Sequence, residues 1–275
     1  MTTDAPTTGR AGAASLPEGW LVPEWPAPAA VRAFVTTRAG GRSAGPWGLA
    51  GGAEGGMNLG LGSGEAAERV LANRAALASW LPAEPAWLRQ VHGSQVVRAP
   101  LAEPLAAADA SWTTESGVVC VVLVADCMPV FLCDAAGRAV AVAHAGWRGL
   151  AAGVLQATAA ALRLALGGDP DARLLAWCGP AIGPRHFEVG PEVLAAMRER
   201  LPVADAAFRA TERGKYYADL PRLAQQALAQ AGVDDVAATS GCTYSDAVRF
   251  YSYRRDGVTG RHAAVIWRND GAQTV

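Results

Sequence analysis

The sequence predicts a single domain of the α+β class. Three observations support this prediction: 275 residues with 51% hydrophobic side chains can bury a substantial core, strand-like and helix-like hydrophobic patterns both occur, and no repeat or low-complexity linker divides the chain. Residues 1–28, rich in Ala, Pro, Thr and Gly, lack the apolar stretch of a secretory signal and are predicted to form a flexible leader. The domain is therefore expected to span residues 29–275.

The first half of the chain is predicted to contain strands, one helix and a long loop. The glycine-rich segment 42–64 is too long for an ordinary connection, which is typical of a functional loop. Helical spacing over 65–80 ends before Pro82. Alternation over 87–99 predicts two paired strands, and the apolar run over 117–126 predicts a central strand that is buried on both faces.

The second half is predicted to begin with a hairpin that has the sequence DAAG at its turn. If Asp134 pairs with Gly137, Cys127 and His144 lie directly opposite each other with Cβ atoms about 5 Å apart. A three-residue turn with a bulge fits the glycine equally well, and a slip of one residue would place the two side chains on opposite faces. The remaining predicted elements are helices over 150–166, 191–201 and 220–231 and the strands RLLAWCG and HAAVIW.

Charge and apolar content exclude two classes of partner. Twenty-four basic and 25 acidic side chains give a net charge of -1, so no basic surface is expected for nucleic acid. The longest apolar stretch, over 118–133, contains Asp126 and Pro129 and is too short to span a membrane. Five cysteines without the spacing of a disulfide framework indicate reduced thiols. These features predict a cytoplasmic protein.

Three polar residues stand out against the apolar background: His92 in RQVHG, Cys127 in ADCMPV and His144 in AHAGWRG. Zinc accepts nitrogen and thiolate ligands, and three protein ligands leave a fourth position for water or substrate. Each residue taken alone also fits an ordinary buried role, since histidines are often satisfied polar groups and cysteine packs as a small hydrophobe.

Five motifs, which occur in order between Val35 and Trp267, resemble those of the bacterial YfiH family. This family is also called the laccase-domain, polyphenol-oxidase-like or peptidoglycan-editing-factor family. The resemblance implies that His92, Cys127 and His144 are zinc ligands at the catalytic centre. It also implies an α+β fold with stacked mixed β-sheets flanked by helices, in α/β/β/α layers. The motifs are RQVHGSQVV, VLVADCMPVFLCD, AVAHAGWRG, GPAIGPRHFEVG and RFYSYRRDGVTGR.

The resemblance further implies a purine nucleoside phosphorylase that acts on adenosine, inosine and methylthioadenosine and also deaminates adenosine. Its partners would be purine nucleosides and phosphate, and the chain would be a monomer or homodimer. Copper would also fit the same ligands, but four histidines are too few for a multicopper oxidase centre.

Four further residues are predicted to contact the substrate. Arg148 precedes the helix predicted from Leu150, so it is predicted to bind phosphate; a surface ion pair is the alternative. Arg38 and Asn58 are predicted to close over the sugar or base, unless they only support the loop. Gln90 is predicted to orient substrate or a ligand, unless it makes an ordinary strand hydrogen bond.

Deamination would also need a proton shuttle, for which Asp126 is the candidate. Because neighbouring strand residues point to opposite faces, Asp126 is equally suited to orienting a nearby backbone group.

Two other functions are compatible with the motifs. One is a peptidoglycan-precursor editing hydrolase that removes a misincorporated L-serine from a muramyl peptide, with Cys127 or a zinc-bound water as the attacking group. The other is a non-catalytic protein in which the metal only stabilises the fold. Three ligands rather than four favour a catalytic site over the second of these.

Overall fold

The computed structural model describes residues 16–169 and 172–270. In this part of the chain the strands are β1 Val31–Val35, β2 Ala39–Ser43, β3 Val96–Arg98, β4 Ala110–Thr113, β5 Cys120–Val124, β6 Met128–Asp134, β7 Val140–Ala145, β8 Leu174–Cys178, β9 Glu188–Val189, β10 Phe208–Ala210, β11 Tyr216–Ala218, β12 Asp235–Ala238 and β13 His262–Arg268. The helices are α1 Ala67–Ala78, α2 Trp147–Ala152, α3 Val154–Ala165, α4 Pro191–Arg200, α5 Leu220–Gln230 and α6 Tyr253–Asp256.

Two sheets stack face to face. A six-stranded sheet has the order β12-β8-β6-β7-β4-β3 and mixes parallel and antiparallel pairs, whereas a three-stranded antiparallel sheet has the order β1-β13-β5. Between them, Val122 and Ile266 of the smaller sheet pack with Phe131 and Trp177 of the larger one, whose rings stack at 5.5 Å. A small third sheet has the order β10-β11-β9.

Helices cover the outer face of each main sheet. Leu155 of α3 and Leu223 of α5 pack in the same apolar cluster as Val130 of β6. On the other side, Leu77 of α1 packs with Phe34 of β1. The layers therefore follow the order helix, sheet, sheet, helix, which confirms the α+β fold with stacked mixed sheets. Because both faces of the central strands are covered, every residue of β6 and β7 is buried.

The helix predicted over 150–166 is two helices. Gly153 adopts a left-handed conformation with φ 91°, and its N–H donates to the carbonyls of Gly149 and Leu150. This glycine ends α2 and starts α3 in a new direction. The first helix begins at Trp147, three residues before the predicted start.

Two strand predictions are wrong. Only Val96–Arg98 of the segment 87–99 forms a strand, because residues 87–95 pair with another segment only at the isolated bridge between Arg89 and Ala107. The predicted central strand is β5, which lies at the edge of the smaller sheet and has one bridge to Ala86 on its other side. Its apolar character comes from burial between stacked layers.

The β6–β7 hairpin has a register two residues away from the predicted one. The N–H of Asp134 donates to the carbonyl of Ala139 at 3.2 Å, so the loop contains four residues instead of two. Pro129 therefore lies opposite His144. A shift of two residues keeps side chains on the same face of a strand, so Cys127 and His144 still point to one side.

Residues before the predicted domain start also pack against the fold. Trp20 is buried and stacks on Phe34 with ring centroids 5.0 Å apart, while Leu21 exchanges backbone hydrogen bonds with Val35. The packed chain therefore extends N-terminally beyond residue 29, where the domain was predicted to begin. Residues 1–15 of that predicted leader lie outside the described residues. Within the described residues, no helix has the length and apolar character needed to cross a bilayer.

Candidate metal centre

The three predicted ligands come together at one end of the β6–β7 hairpin. The donor atoms of His92, Cys127 and His144 all lie within 4.8 Å of one another. Cys127 immediately precedes β6, His144 lies near the end of β7, and His92 belongs to the segment beside β5. The hairpin therefore supplies two ligands, and a more distant part of the chain supplies the third.

Asp109, the residue before β4, fixes the orientation of His144. Its Oδ1 lies 2.8 Å from His144 Nδ1, and both side chains are buried. Because a carboxylate only accepts hydrogen bonds, Nδ1 must carry the proton. The Nε2 lone pair of His144 is then free to bind a metal, as in other carboxylate–histidine–metal arrangements.

The same carboxylate also holds the segment that carries His92. Asp109 accepts hydrogen bonds from the N–H groups of Val91, His92 and Gly93 at 3.1, 2.9 and 2.7 Å. His92 has a positive φ of 59°, an uncommon conformation for this residue type, and three successive N–H groups point at one anion. Asp109 thus positions two ligands at once, and the sequence analysis did not predict it.

Gly146 provides the space that the Cys127 thiol occupies. The hairpin pairs Met128 with Ala145, which places the next residues, Cys127 and Gly146, side by side. A Cβ added at Gly146 would lie 2.7 Å from Cys127 Sγ and 3.5 Å from His92 Cδ2. Position 146 therefore requires glycine, because any side chain there would collide with the Cys127 sulfur.

Replacing Gly146 by alanine is expected to weaken zinc binding about 10- to 100-fold, because the new methyl group would push the Cys127 thiol away at an overpacking cost of about 1–3 kcal/mol. A zinc titration against a competing chelator would measure this change. Gly62→Ala is the matched control, since a Cβ at Gly62 meets nothing within 4 Å. Equal zinc affinities for both variants would contradict the assigned role of Gly146.

The two histidines favour the thiolate form of Cys127. Burial by itself raises the pKa of the Cys127 thiol, but His144 and His92 outweigh it and lower this pKa to about 6. Burial lowers the pKa of His144, whereas the Cys127 thiolate and Asp109 raise it to about 9. The thiolate, which is the form of cysteine that binds metals, is therefore available at neutral pH.

The donor set fits a metal with one open position. Two imidazole nitrogens and one thiolate suit a borderline-soft ion. Exposure to solvent decreases from His92, which is exposed, through Cys127, which is intermediate, to His144, which is buried. The open side of the cluster therefore lies near His92, where a small molecule can approach from solvent.

Comparisons with known proteins agree with this geometry. Residues 32–269 match the family model described as multi-copper polyphenol oxidoreductase laccase. The chain belongs to this family. It is 48% identical to a Pseudomonas aeruginosa protein named purine nucleoside phosphorylase, over 91% of this chain and 99% of that one. It is 46% identical to the Escherichia coli K12 protein named purine nucleoside phosphorylase YfiH, over 90% and 98% of the two chains.

Two solved bacterial structures share the fold. A Neisseria meningitidis protein superposes with a TM-score of 0.83 at 42% identity, covering 92% of this chain and 100% of the other. YlmD from Geobacillus stearothermophilus superposes with a TM-score of 0.83 at 30% identity, covering 94% and 98%. These similarities confirm the predicted YfiH family and its fold.

Despite the laccase name of the family, the histidines of the described residues do not converge as a multicopper centre requires. Of the four histidines in the chain, only the two described above share a cluster. His186 Nε2 lies 2.9 Å from Ser245 Oγ, and His262 is buried and accepts the N–H of Tyr251 at 2.8 Å. The described residues therefore offer too few converging imidazoles for several copper ions.

Asn58 supports the glycine-rich loop of this laccase-family chain. Its Nδ2 donates to Ser63 and Glu65 at 2.7 and 2.8 Å, while its Oδ1 accepts from the N–H groups of Gly60 and Arg261 at 3.0 and 2.9 Å. Both amide hydrogens and the carbonyl oxygen are engaged within the protein. This arrangement favours the loop role that was the alternative for Asn58.

Gln90 connects the His92 segment to β5. Its side-chain amide donates to the carbonyl of Leu123 at 2.8 Å and accepts the Leu123 N–H at 2.7 Å, so it replaces a backbone pair of a β-ladder. Because Gln90 lies two residues before His92, this pairing anchors the third ligand. The Gln90 side chain therefore fixes the backbone of the segment that carries the ligand His92.

The two arginines predicted to contact substrate have different surroundings. Arg38 is 6% exposed, and its guanidinium donates to the carbonyls of Gly48 and Ala247 at 2.7 and 3.3 Å. Arg148 is exposed and stacks on Trp147, with its Cζ 4.4 Å from the ring centroid. Substrate contacts by Arg38 and Arg148 stay predictions.

Asp126 is engaged with backbone and hydroxyl groups. Its Oδ1 accepts from Thr243 Oγ1 and its Oδ2 from the Arg254 N–H, both at 2.6 Å. Its backbone has a positive φ of 85°, which changes the chain direction just before Cys127. These contacts favour the orienting role that was the alternative to proton transfer.

Proposed function

We propose that the protein is a zinc-dependent purine nucleoside phosphorylase that acts on adenosine, inosine and methylthioadenosine and also deaminates adenosine. The observation that carries the proposal is the cluster of His92, Cys127 and His144, which has three donors and a side open to solvent. A structural zinc site commonly has four protein ligands, whereas three ligands leave a position for chemistry. The names of the two bacterial relatives at 48% and 46% identity support the choice of reaction.

Phosphorolysis exchanges one bond at the sugar. A phosphate oxygen bonds to C1′ of the ribose, the bond from C1′ to the purine nitrogen breaks, and its electron pair leaves with the purine, which takes up a proton. Zinc, when held by the three ligands, would supply Lewis-acid stabilisation of negative charge. The chain itself must hold the sugar and the phosphate close together, since positioning contributes much of the rate of a two-substrate reaction.

The residues around the cluster keep its geometry constant. Asp109 holds the ring of His144 and the backbone of His92, and Gln90 anchors the His92 segment to β5. Preorganised ligands spare the protein a rearrangement during the reaction. Deamination of adenosine would use the same open side with water in place of phosphate.

The experiment is incubation of the zinc-loaded protein with inosine, with and without inorganic phosphate. We expect hypoxanthine and ribose 1-phosphate to form only when phosphate is present. Adenosine should give adenine by phosphorolysis and inosine by deamination, and chromatography separates these products. Methylthioadenosine with phosphate should release adenine.

Several results would contradict parts of the proposal. No release of base by protein of verified zinc content would contradict phosphorylase activity. Base release without phosphate would indicate hydrolysis instead. Release of L-serine from a serine-containing muramyl peptide, with inosine left intact, would favour the editing reaction described above.

A further inference from the structure

Arg261, the residue before β13, carries a guanidinium group that makes no ion pair with the residues that the structure describes. Its Nη1 donates to the carbonyls of Thr259 and Gly260 at 3.0 and 2.9 Å. Within the described residues, no carboxylate oxygen lies within 4.0 Å of this group, as would be needed for an ion pair. The guanidinium can therefore still make a direct ion pair with a bound anion.

The β13–β5 pairing brings Arg261 to the segment that carries Cys127, because the next residue, His262, lies opposite Val124, three residues before Cys127. The Cζ of Arg261 is 5.8 Å from the centroid of the Tyr253 ring. Arg254, which follows Tyr253, donates its N–H at 2.6 Å to the side chain of Asp126, the residue before Cys127. Burial lowers the pKa of Arg261, and the nearby negative charges of Cys127 and Asp126 raise it in part. An arginine remains cationic under such conditions.

The glycine-rich loop fixes the position of Arg261. Its N–H donates to Asn58 Oδ1 at 2.9 Å, and its carbonyl accepts the N–H of Leu59 at 3.1 Å. A Cβ at Gly60 would lie 2.6 Å from Arg261 Cγ, so the loop packs directly on the stem of the arginine. Asn58 and Gly60 therefore position this side chain.

We propose that Arg261 binds the phosphate co-substrate beside the metal centre. This inference rests on the proposed phosphorylase function and adds the residue that holds the anion. The fork of an arginine makes two parallel hydrogen bonds with phosphate, which fixes both its place and its orientation. The glycine-rich loop holds Arg261 in place, and the β13–β5 register puts it beside the Cys127 segment. The exposed Arg148 instead stacks on Trp147.

The test compares Arg261→Gln with Arg173→Gln, a matched change of an exposed surface arginine. For Arg261→Gln we expect the KM for phosphate to rise about 10- to 100-fold, because two charge-assisted hydrogen bonds are lost, and the KM for inosine to change less than about threefold. Arg261→Lys keeps the charge without the fork and should give an intermediate value. Arg173→Gln should leave the KM for phosphate within about twofold, since Arg173 is exposed and pairs with Asp235 at the surface.

A second measurement does not depend on the folding of a variant. Phenylglyoxal modifies accessible arginines, and peptide mass spectrometry reports which ones. Inorganic phosphate should protect Arg261 in the zinc-loaded wild-type protein. An unprotected Arg261, or an unchanged KM for phosphate in a folded Arg261→Gln variant, would overturn the inference.

The two proposals can fail separately. Calorimetric titration of inorganic phosphate, without nucleoside, into wild-type and Arg261→Gln proteins measures anion binding by itself. If binding depends on Arg261 but inosine is not cleaved, the phosphorylase function fails and the anion site stands. If inosine is cleaved and phosphate binding does not depend on Arg261, only the assignment of Arg261 fails.

Discussion

Replacing Asp109 by alanine is expected to reduce both zinc affinity and stability. The substitution leaves His144 Nδ1 and the N–H groups of Val91, His92 and Gly93 without their acceptor. Loss of a group that orients metal ligands typically costs about 10- to 100-fold in affinity. Removing one member of a buried charged network costs about 3–5 kcal/mol in the free energy of unfolding. Zinc competition with a chelator and urea denaturation of the zinc-free protein would measure the two effects.

Asp205→Ala is the control for loss of an aspartate. The Asp205 side chain is 65% exposed and pairs with Arg198 at the surface, so its removal should cost less than about 1 kcal/mol. If Asp109→Ala bound zinc as tightly as the Asp205 variant and unfolded at the same urea concentration, Asp109 would have no positioning role.

Replacing Cys127 by serine is expected to have the largest effect on activity. Serine lacks the thiolate that contributes negative charge to the cluster, and its hydroxyl is a poor ligand for zinc at neutral pH. We expect zinc to be lost on dialysis and the rate of phosphate-dependent inosine cleavage to fall by about 100-fold or more. Metal analysis and the inosine assay on the same preparation would test this.

Cys242→Ser is the matched control for this change. Cys242 is a half-buried free thiol outside the cluster, and its sulfur accepts the Gly183 N–H at 3.2 Å, a contact that a serine oxygen can replace. This variant should keep its zinc and its activity. Full zinc retention by Cys127→Ser would show that the thiol is not a ligand.

Hydrophobic periodicity predicted most helices because their apolar faces pack directly on a sheet. Helix α5 begins and ends within a residue of its predicted range. The break at Gly153 escaped prediction, since glycine is tolerated inside helices and only its positive φ shows that the chain turns. Likewise, β5 has the apolar pattern of a central strand because stacked layers bury it, although it lies at a sheet edge.

The three ligands could be predicted because histidine and cysteine are typical zinc ligands. The residues that position them belong to types with many other roles, so the sequence did not single them out. Asp109 accepts hydrogen bonds from N–H groups that lie 16 to 18 residues earlier in the chain. Every residue except proline has a backbone N–H, so the sequence does not show which ones bind Asp109. The importance of Gly146 depends on the exact hairpin register, which turn residues alone left open. Arg261 became a candidate only when the chain brought β13 next to the glycine-rich loop.

The location of the ligands has a mechanical consequence for the whole domain. The His92 segment is fastened to β5 in one sheet through Gln90, whereas His144 belongs to the other sheet. An ion bound by both acts as a clamp between two stacked layers. Any sliding of one layer over the other would then change the spacing of the donors, so metal occupancy and resistance to unfolding are thermodynamically linked.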